Sequence, residues 1–509
     1  MGTDQAECRG LIRWVLVAAV LGGVVLRCEG LERRPLWYDE AATMLHLSGR
    51  SESALGGWYD GRSLTRAEVR GRPASVVAVV AAALTDEPQS GAGYFLAAGV
   101  WQRIVGGTVP AVRMLSAIAS TLAIGAVWLV ARRLLGSTEA ASTVAALVAL
   151  SPLHLRYAAE ARPYALWSLT LLGWVLATLR AHERAGVFGW LVAGLALVAA
   201  LAVHPLTLLV IPAVAALAGG LRFWAASGMA VSAWTIMSVG AWSQTTRMAE
   251  TTAWVGEPTT IVAHVRAWLG IVTSVFLRPG GEGGLIGSAI PTPIATSIWL
   301  LLGIAVTGLV VLSLLSSAPT LPGGRGFVRR LAVVPWASHA LIDLVVGGRR
   351  SAVARYLVPS WLGIELAVGG WIAAARPRRS VLIALLALAT ATAIHTRPVG
   401  FWWDTDALRL RELARIAAAV NAVPRVVLVT DLAPTALVEL VAQCDDAVEL
   451  RLGVAAAAAT ITAAEWPRIR VAFPSAALLA AVRAAAGPTR TLAPIGEEGT
   501  LFAVAGRGS

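Results

Sequence analysis

From Leu11 to His395 the chain returns repeatedly to apolar runs of membrane-crossing length, separated by short polar interruptions. A helix that crosses a bilayer needs about 20 mostly apolar residues, because hydrocarbon offers no hydrogen-bond partner to backbone groups left outside the helix. Soluble cores cannot hide that much apolar surface in 509 residues that are 57% hydrophobic and 14% charged, with a mean hydropathy of +0.69. The chain therefore reads as an α-helical polytopic membrane protein with about eleven transmembrane helices. The formal charge of +12 and the pI near 10.9 do not indicate nucleic acid. All of the positive side chains are Arg, with no Lys, and they punctuate helix ends instead of forming tracts. Membrane lipids, anionic ones above all, are the expected partner.

The first span falls at about Leu11 to Leu26 and the second at about Ala111 to Val130. Arg9 and Arg13 precede the first run without a small-residue cleavage site, so it reads as a retained helix. With the N-terminus inside, Arg132-Arg133, Arg180 with Arg184, Arg222, the group Arg325, Arg329 and Arg330, and the group Arg376, Arg378 and Arg379 all fall in short inner loops. That distribution obeys the positive-inside rule. The membrane domain covers residues 1–396, and residues 27–110 form its first outer loop. The apolar pieces of that loop, Ala74 to Leu84 and Tyr94 to Val105, read as helices lying at the interface. Beyond residue 397 the pattern changes. Short strands at Val426 to Thr430, Val448 to Leu452, Arg468 to Phe473 and Leu501 to Ala505 alternate with helices at Ala433 to Gln443 and Ser475 to Ala485. These make residues 397–509 a small C-terminal α/β domain, placed outside by an odd number of spans.

Counting spans puts four polar stretches on one face. They are Asp39-Glu40; Tyr157 to Tyr164 with Glu160 and Arg162; His204-Pro205; and Arg349-Arg350 with Arg355-Tyr356. Arginines grip phosphate oxygens in a fork, and a carboxylate takes a proton from an attacking hydroxyl. Such a set suits a reaction on a lipid phosphate. Each member also has a plainer reading. Asp39-Glu40 is a solvated loop pair, Glu160 and Arg162 pair with each other, His204-Pro205 is an interfacial turn, and the later arginines hold lipid headgroups. Neighbouring side chains do not share a direction, so at most one of Asp39 and Glu40 faces a substrate. Asp343 and Glu365 lie within or near apolar spans, where an ionisable group is a functional candidate by default. In the outer loop from Gln244 to Ile290, Glu250, Glu257, His264 and Arg266 are available to substrate or metal, without a recognised metal spacing. Cys8, Cys28 and Cys444 have no ligand spacing either. No cofactor is indicated, and a divalent cation stays open.

Trp37-Tyr38-Asp39-Glu40-Ala41, Tyr157 to Leu166, His204-Pro205 and Arg355-Tyr356-Leu357, in that order, resemble the bacterial branch of the GT-C glycosyltransferases. That branch includes relatives of the protein mannosyltransferases and of the lipid A aminoarabinose transferases. The resemblance implies a multi-pass enzyme of the bacterial plasma membrane. It would carry a sugar from a polyprenyl-phosphate donor to a cell-envelope glycan, lipid or protein on the outer face. It implies Asp39 as the essential acidic residue with Glu40 beside it, and Glu160, Arg162, Arg355 and Tyr356 as matching site residues; Tyr164, His204 and Arg349, placed on the same face by the count of spans, complete the expected substrate contacts. Two departures stand out: Ala158-Ala159 where relatives carry a polar residue, and Glu87-Pro88-Gln89 in place of a His-Pro-Pro-like element. The rival reading is a transporter or flippase, which would carry ionisable groups near mid-membrane and related halves with broken helices.

Overall fold

The computed structural model describes residues 2–32, 36–52, 63–65, 72–184, 186–278, 292–316, 321–375, 378–396, 407–432, 434–445, 447–453, 461–495 and 500–506. Arg376, most of the polar stretch from Asp60 to Arg72, and the last part of the loop ending at Ile290 lie outside those residues. Every apolar run marked out above is helical. In chain order the helices are α1 (Gly2–Cys28), α2 (Tyr38–Leu47), α3 (Val76–Asp86), α4 (Ala92–Val105), α5 (Val109–Leu135), α6 (Thr138–Leu150) and α7 (Pro152–Ala158). There follow α8 (Tyr164–Arg184), α9 (Val187–Val203), α10 (Ile211–Ala218), α11 (Leu221–Trp242), α12 (Thr245–Thr252), α13 (Ile261–Ser274) and α14 (Thr292–Ser316). The last are α15 (Gly324–Val346), α16 (Val358–Ala373), α17 (Arg379–Thr396), α18 (Ala407–Asn421), α19 (Pro434–Ala442) and α20 (Ala476–Ala486). Among the described residues, four helices are long and apolar enough to cross a membrane, starting at Val109, Tyr164, Ser297 and Ala354. Several others are shortened by proline. The apolar stretch from Ala140 to Leu155 breaks at Ser151-Pro152, and the stretch from Leu206 to Ala218 is a 3-10 turn, Pro205–Val210, followed by α10 with Pro212 in its first turn.

The chain forms two compact units. The first is Met1–Leu31, Glu87–Tyr94 and Val112–Trp403; the second is Glu32–Asp86, Phe95–Ala111 and Asp404–Ser509. This differs from a division at residue 397, because most of the first outer loop groups with the C-terminal chain. The reason is partly a strand of three residues. β1 (Ser63–Thr65) pairs antiparallel with β3 (Glu449–Leu452), so the loop supplies an edge of the C-terminal sheet.

In the first unit, helices pack through small residues that let backbones approach. A methyl group on Gly363 of α16 would stand 2.4 Å from the backbone nitrogen of Ala332 in α15, so that crossing tolerates no side chain. Trp167, Trp174 and Trp361 fill the core. Arg27, fully buried near the end of α1, solves a problem set by Pro152. Proline has no N–H to offer the carbonyl four residues back, and the last carbonyls of a helix lack partners in any case. Arg27 donates to the carbonyls of Val148 (2.9 Å) and Ala149, and its Nε donates to Ser120 Oγ (2.8 Å).

The second unit has a six-stranded sheet in the order β1, β3, β2 (Val427–Thr430), β4 (Ile469–Ala472), β6 (Leu501–Gly506), β5 (Arg490–Pro494). β2 runs parallel to both neighbours. All four of its residues are buried, as a central parallel strand covered on both faces requires. β6 and β5 close the other edge as an antiparallel pair. Asp39 and Glu40 lie in the first turn of α2, which packs on α19 within this unit.

Candidate active site

α7 begins with proline at its first turn and ends after two turns at Ala158, so the chain leaves it carrying Glu160 and Arg162. Each of the two has a partner outside the Glu160–Arg162 pair. Arg156 Nε donates to Glu160 Oε1 at 2.7 Å, an i to i+4 pair. Arg162 forks onto Glu87, with Nη1 to Oε1 at 3.1 Å and Nη2 to Oε2 at 2.9 Å. This is the bidentate geometry for which arginine is suited. Glu87 is held by its own segment, where glycines allow close contact with the end of α9. A Cβ at Gly91 would fall 2.1 Å from the Ala202 carbonyl oxygen.

The end of α9 delivers His204. Its ring stacks on Trp167 with centroids 4.0 Å apart and an interplanar angle of 14°, and Tyr164 lies beside it at 6.1 Å. Trp167 Nε1–H donates to Thr207 Oγ1 (2.8 Å), locking the stack. The Leu206 N–H donates to His204 Nδ1 at 3.3 Å, which assigns the proton to Nε2. His204 keeps part of its surface, but packing desolvates the ring. Burial, then the charges of Arg162, His339 and Arg355, push its pKa down to about 3. A neutral imidazole with an Nε2–H can donate a hydrogen bond and carries no charge. Those three neighbours also show that segments far apart in sequence act on one ring.

A second group surrounds Arg355. The turns Arg350–Ala352 and Ala354–Leu357 are tied to the end of α15 by Asp343, which accepts the N–H groups of Arg350 (2.9 Å) and Ser351 (2.7 Å). The intramembrane candidate Asp343 is thus a clamp for the turn that precedes Arg355. Arg349 and Arg355 both lie over the Trp254 ring, at 5.4 and 5.0 Å from its centroid, a cation–π arrangement. Arg349 also meets Glu257 at 2.8 Å. Tyr356 stacks on His339 at 5.8 Å. Glu365, the other intramembrane candidate, is fully buried with His154 Nε2 3.1 Å from Oε2.

On α2, Glu40 is buried and Asp39 half-buried, so of the two Asp39 keeps the surface. The positive end of the helix dipole favours a carboxylate there. One face further along, His46 is completely buried with Nε2 3.0 Å from Asp86 Oδ2, and the same oxygen accepts the Glu52 N–H at 2.8 Å. Asp39 and Glu40 belong to the second unit, whereas Glu160, Arg162, Tyr164, His204, Arg349, Arg355 and Tyr356 belong to the first. Among the described residues no three His, Cys, Asp or Glu side chains form a metal-binding group.

The family model for dolichyl-phosphate-mannose-protein mannosyltransferases matches residues 90–242. In solved structures, ArnT from Cupriavidus metallidurans bound to undecaprenyl phosphate superposes with a TM-score of 0.52 at 13% identity, covering 96% of this chain and 97% of that one. The two chains share a fold, of the GT-C type. The oligosaccharyltransferase of Archaeoglobus fulgidus tethered with an acceptor peptide aligns over 85% of this chain and 63% of that one, with 13% identity and a TM-score of 0.42. No curated protein sequence matches the chain.

Within this GT-C fold, several residues of the site carry no signal that reasoning from the sequence took up. Arg156, His339 and Trp254 sit among apolar or loop residues and acquire meaning only through tertiary neighbours. His46 stands seven residues after Asp39, on the same helical face, and Asp86 directly precedes the Glu87-Pro88 departure. Those spacings were legible in principle.

Proposed function

We propose that this chain is a membrane glycosyltransferase that moves a sugar from a polyprenyl-phosphate-linked donor to a cell-envelope acceptor on the outer face of the bacterial plasma membrane. The observation that carries the reading is a polar set within one unit: His204 stacked on Trp167, the Glu87–Arg162 fork, and Arg355 over the rings of Trp254 and Tyr356, with Arg162, His339 and Arg355 all adding positive charge at the His204 ring. A phosphate needs cations and neutral donors held in place before it arrives, and this group supplies both. The similarity to an undecaprenyl phosphate-bound structure and the match to a dolichyl-phosphate-mannose family support the same donor class.

In the mechanism, the acceptor oxygen attacks the anomeric carbon while the bond from that carbon to the phosphate oxygen breaks. The configuration inverts, Asp39 receives the hydroxyl proton, and the electron pair leaves with the lipid phosphate. Arg355 stabilises the charge growing on that phosphate, and the His204 Nε2–H donates a hydrogen bond to the donor. Glu160 and Glu87 hold Arg156 and Arg162 in position; Tyr164 and Tyr356 wall the site. Mass spectrometry of envelope glycans and polyprenyl-phosphate sugars after deletion of the protein tests this reading. One donor should accumulate while one glycan loses a residue. Unchanged donor pools and glycans would overturn it.

A further inference from the structure

At the end of α8 two arginines stand without the partners that most charges in this protein have. Arg180 and Arg184 are exposed, four residues apart on one helical face, and among the described residues neither makes an ion pair or a hydrogen bond. The intervening acid, Glu183, is turned to Arg133 at 3.5 Å. From this pair a groove of about 670 Å³ runs along the seam between α8 and α9, past Phe188, Gly189, Ala177 and Gly173. Its far end is apolar in character, since the Thr170 hydroxyl donates to the Leu166 carbonyl of its own helix at 3.0 Å. From Thr170 to Arg184 the helix rises about 21 Å, more than half of a hydrocarbon core about 30 Å thick. The groove is therefore long enough for a chain lying in one leaflet, with the charged end at the water boundary.

Length, an apolar lining and two unpaired guanidinium groups at one end match a molecule with a phosphate head and a hydrocarbon tail. We propose that the α8–α9 groove binds an anionic glycerophospholipid, one acyl chain lying along Gly173, Ala177 and Gly189 and the phosphate held between Arg180 and Arg184. Guanidinium groups bind phosphate oxygens through directed hydrogen bonds. A zwitterionic headgroup brings its own cation and competes with them, so selectivity for net negative charge follows. The site is independent of the sugar-transfer reading, because its two arginines lie at the other end of α8 from Tyr164.

The test is native mass spectrometry of the delipidated full chain in mild detergent, titrated with phosphatidylglycerol or phosphatidylcholine. The wild-type protein should retain phosphatidylglycerol at least about tenfold more tightly, a difference of about 1.4 kcal/mol. R180Q/R184Q should abolish the preference. G173L should weaken retention of both lipids, because a Cβ at Gly173 meets nothing within 4 Å and a leucine there enters the groove without displacing the backbone. Excess glycerol phosphate should not displace the lipid. Equal retention of the two lipids by the wild-type protein would overturn the proposal. So would undiminished phosphatidylglycerol binding in a folded G173L protein, or complete displacement by glycerol phosphate, which would mark a simple phosphate site.

Discussion

Around Glu160 and Arg162 the charges are enclosed and ion-paired, whereas around Arg355 the arginines lie across the face of Trp254 near the surface. In the Glu87–Arg162 fork the two side chains are only 15% and 6% exposed; in the Arg349–Glu257 pair they are 61% exposed for the acid and 41% for the base. The physics differs accordingly. A buried pair costs a great deal to leave half-made, because the surviving charge has no water. An exposed pair contributes little, because solvent replaces the lost partner. The first cluster is thus a framework, and in the proposed mechanism the second exchanges protein contacts for those of a substrate.

Breaking the framework should have the larger effect on folding. Glu87→Gln should cost about 3–5 kcal/mol, the usual penalty for stranding a buried charge, read as a lower melting midpoint and poor recovery of folded protein. Next in size is Arg355→Ala. Losing a charge-assisted contact worth about 1.5–3 kcal/mol should raise the KM for the lipid donor by about ten- to a hundredfold with little change for the acceptor. An unchanged donor KM would count against the phosphate role. Asp343→Asn should act in the same direction but less strongly, by about 1–2 kcal/mol, because the amide oxygen still accepts one of the two backbone N–H groups of the turn. Arg349→Ala should be mildest, at most about 1 kcal/mol in stability. Equal destabilisation by Glu87→Gln and Arg349→Ala would erase the contrast between the clusters.

Acid provides another probe of the enclosed cluster. His204 titrates at about 3 in the folded chain, against about 6.5 when unfolded. The unfolded state therefore binds the extra proton first as pH falls. The stability associated with neutral His204 is complete above about pH 6.5 and declines from there toward pH 3. Thermal melts should show a smaller loss between pH 7 and pH 5 for His204→Gln than for the wild-type chain.

The helices were legible in the sequence because lipid imposes a simple demand, an apolar run of sufficient length, and the strand–helix alternation after residue 397 was legible for a similar reason. What escaped depends on meetings across the chain. Nothing local to Arg27 announces that it caps carbonyls freed by Pro152, more than a hundred residues away. β1 is too short to register as a strand, and β5 is an exposed edge that lacks a buried face, so it has little hydrophobic pattern. The candidate residues were visible as polar stretches at helix ends. Their actual partners, Glu87 for Arg162 and Arg156 for Glu160, were hidden because ion pairing is settled by the fold and not by proximity in sequence.

The role of Asp39 as the proton acceptor is where the proposed chemistry is most exposed to test. Purified wild-type and Asp39→Asn proteins in liposomes, supplied with a polyprenyl-phosphate sugar and envelope acceptor, should insert and melt alike. Only the wild-type protein should release the lipid phosphate and extend the acceptor. Comparable turnover by a folded Asp39→Asn protein would contradict the account.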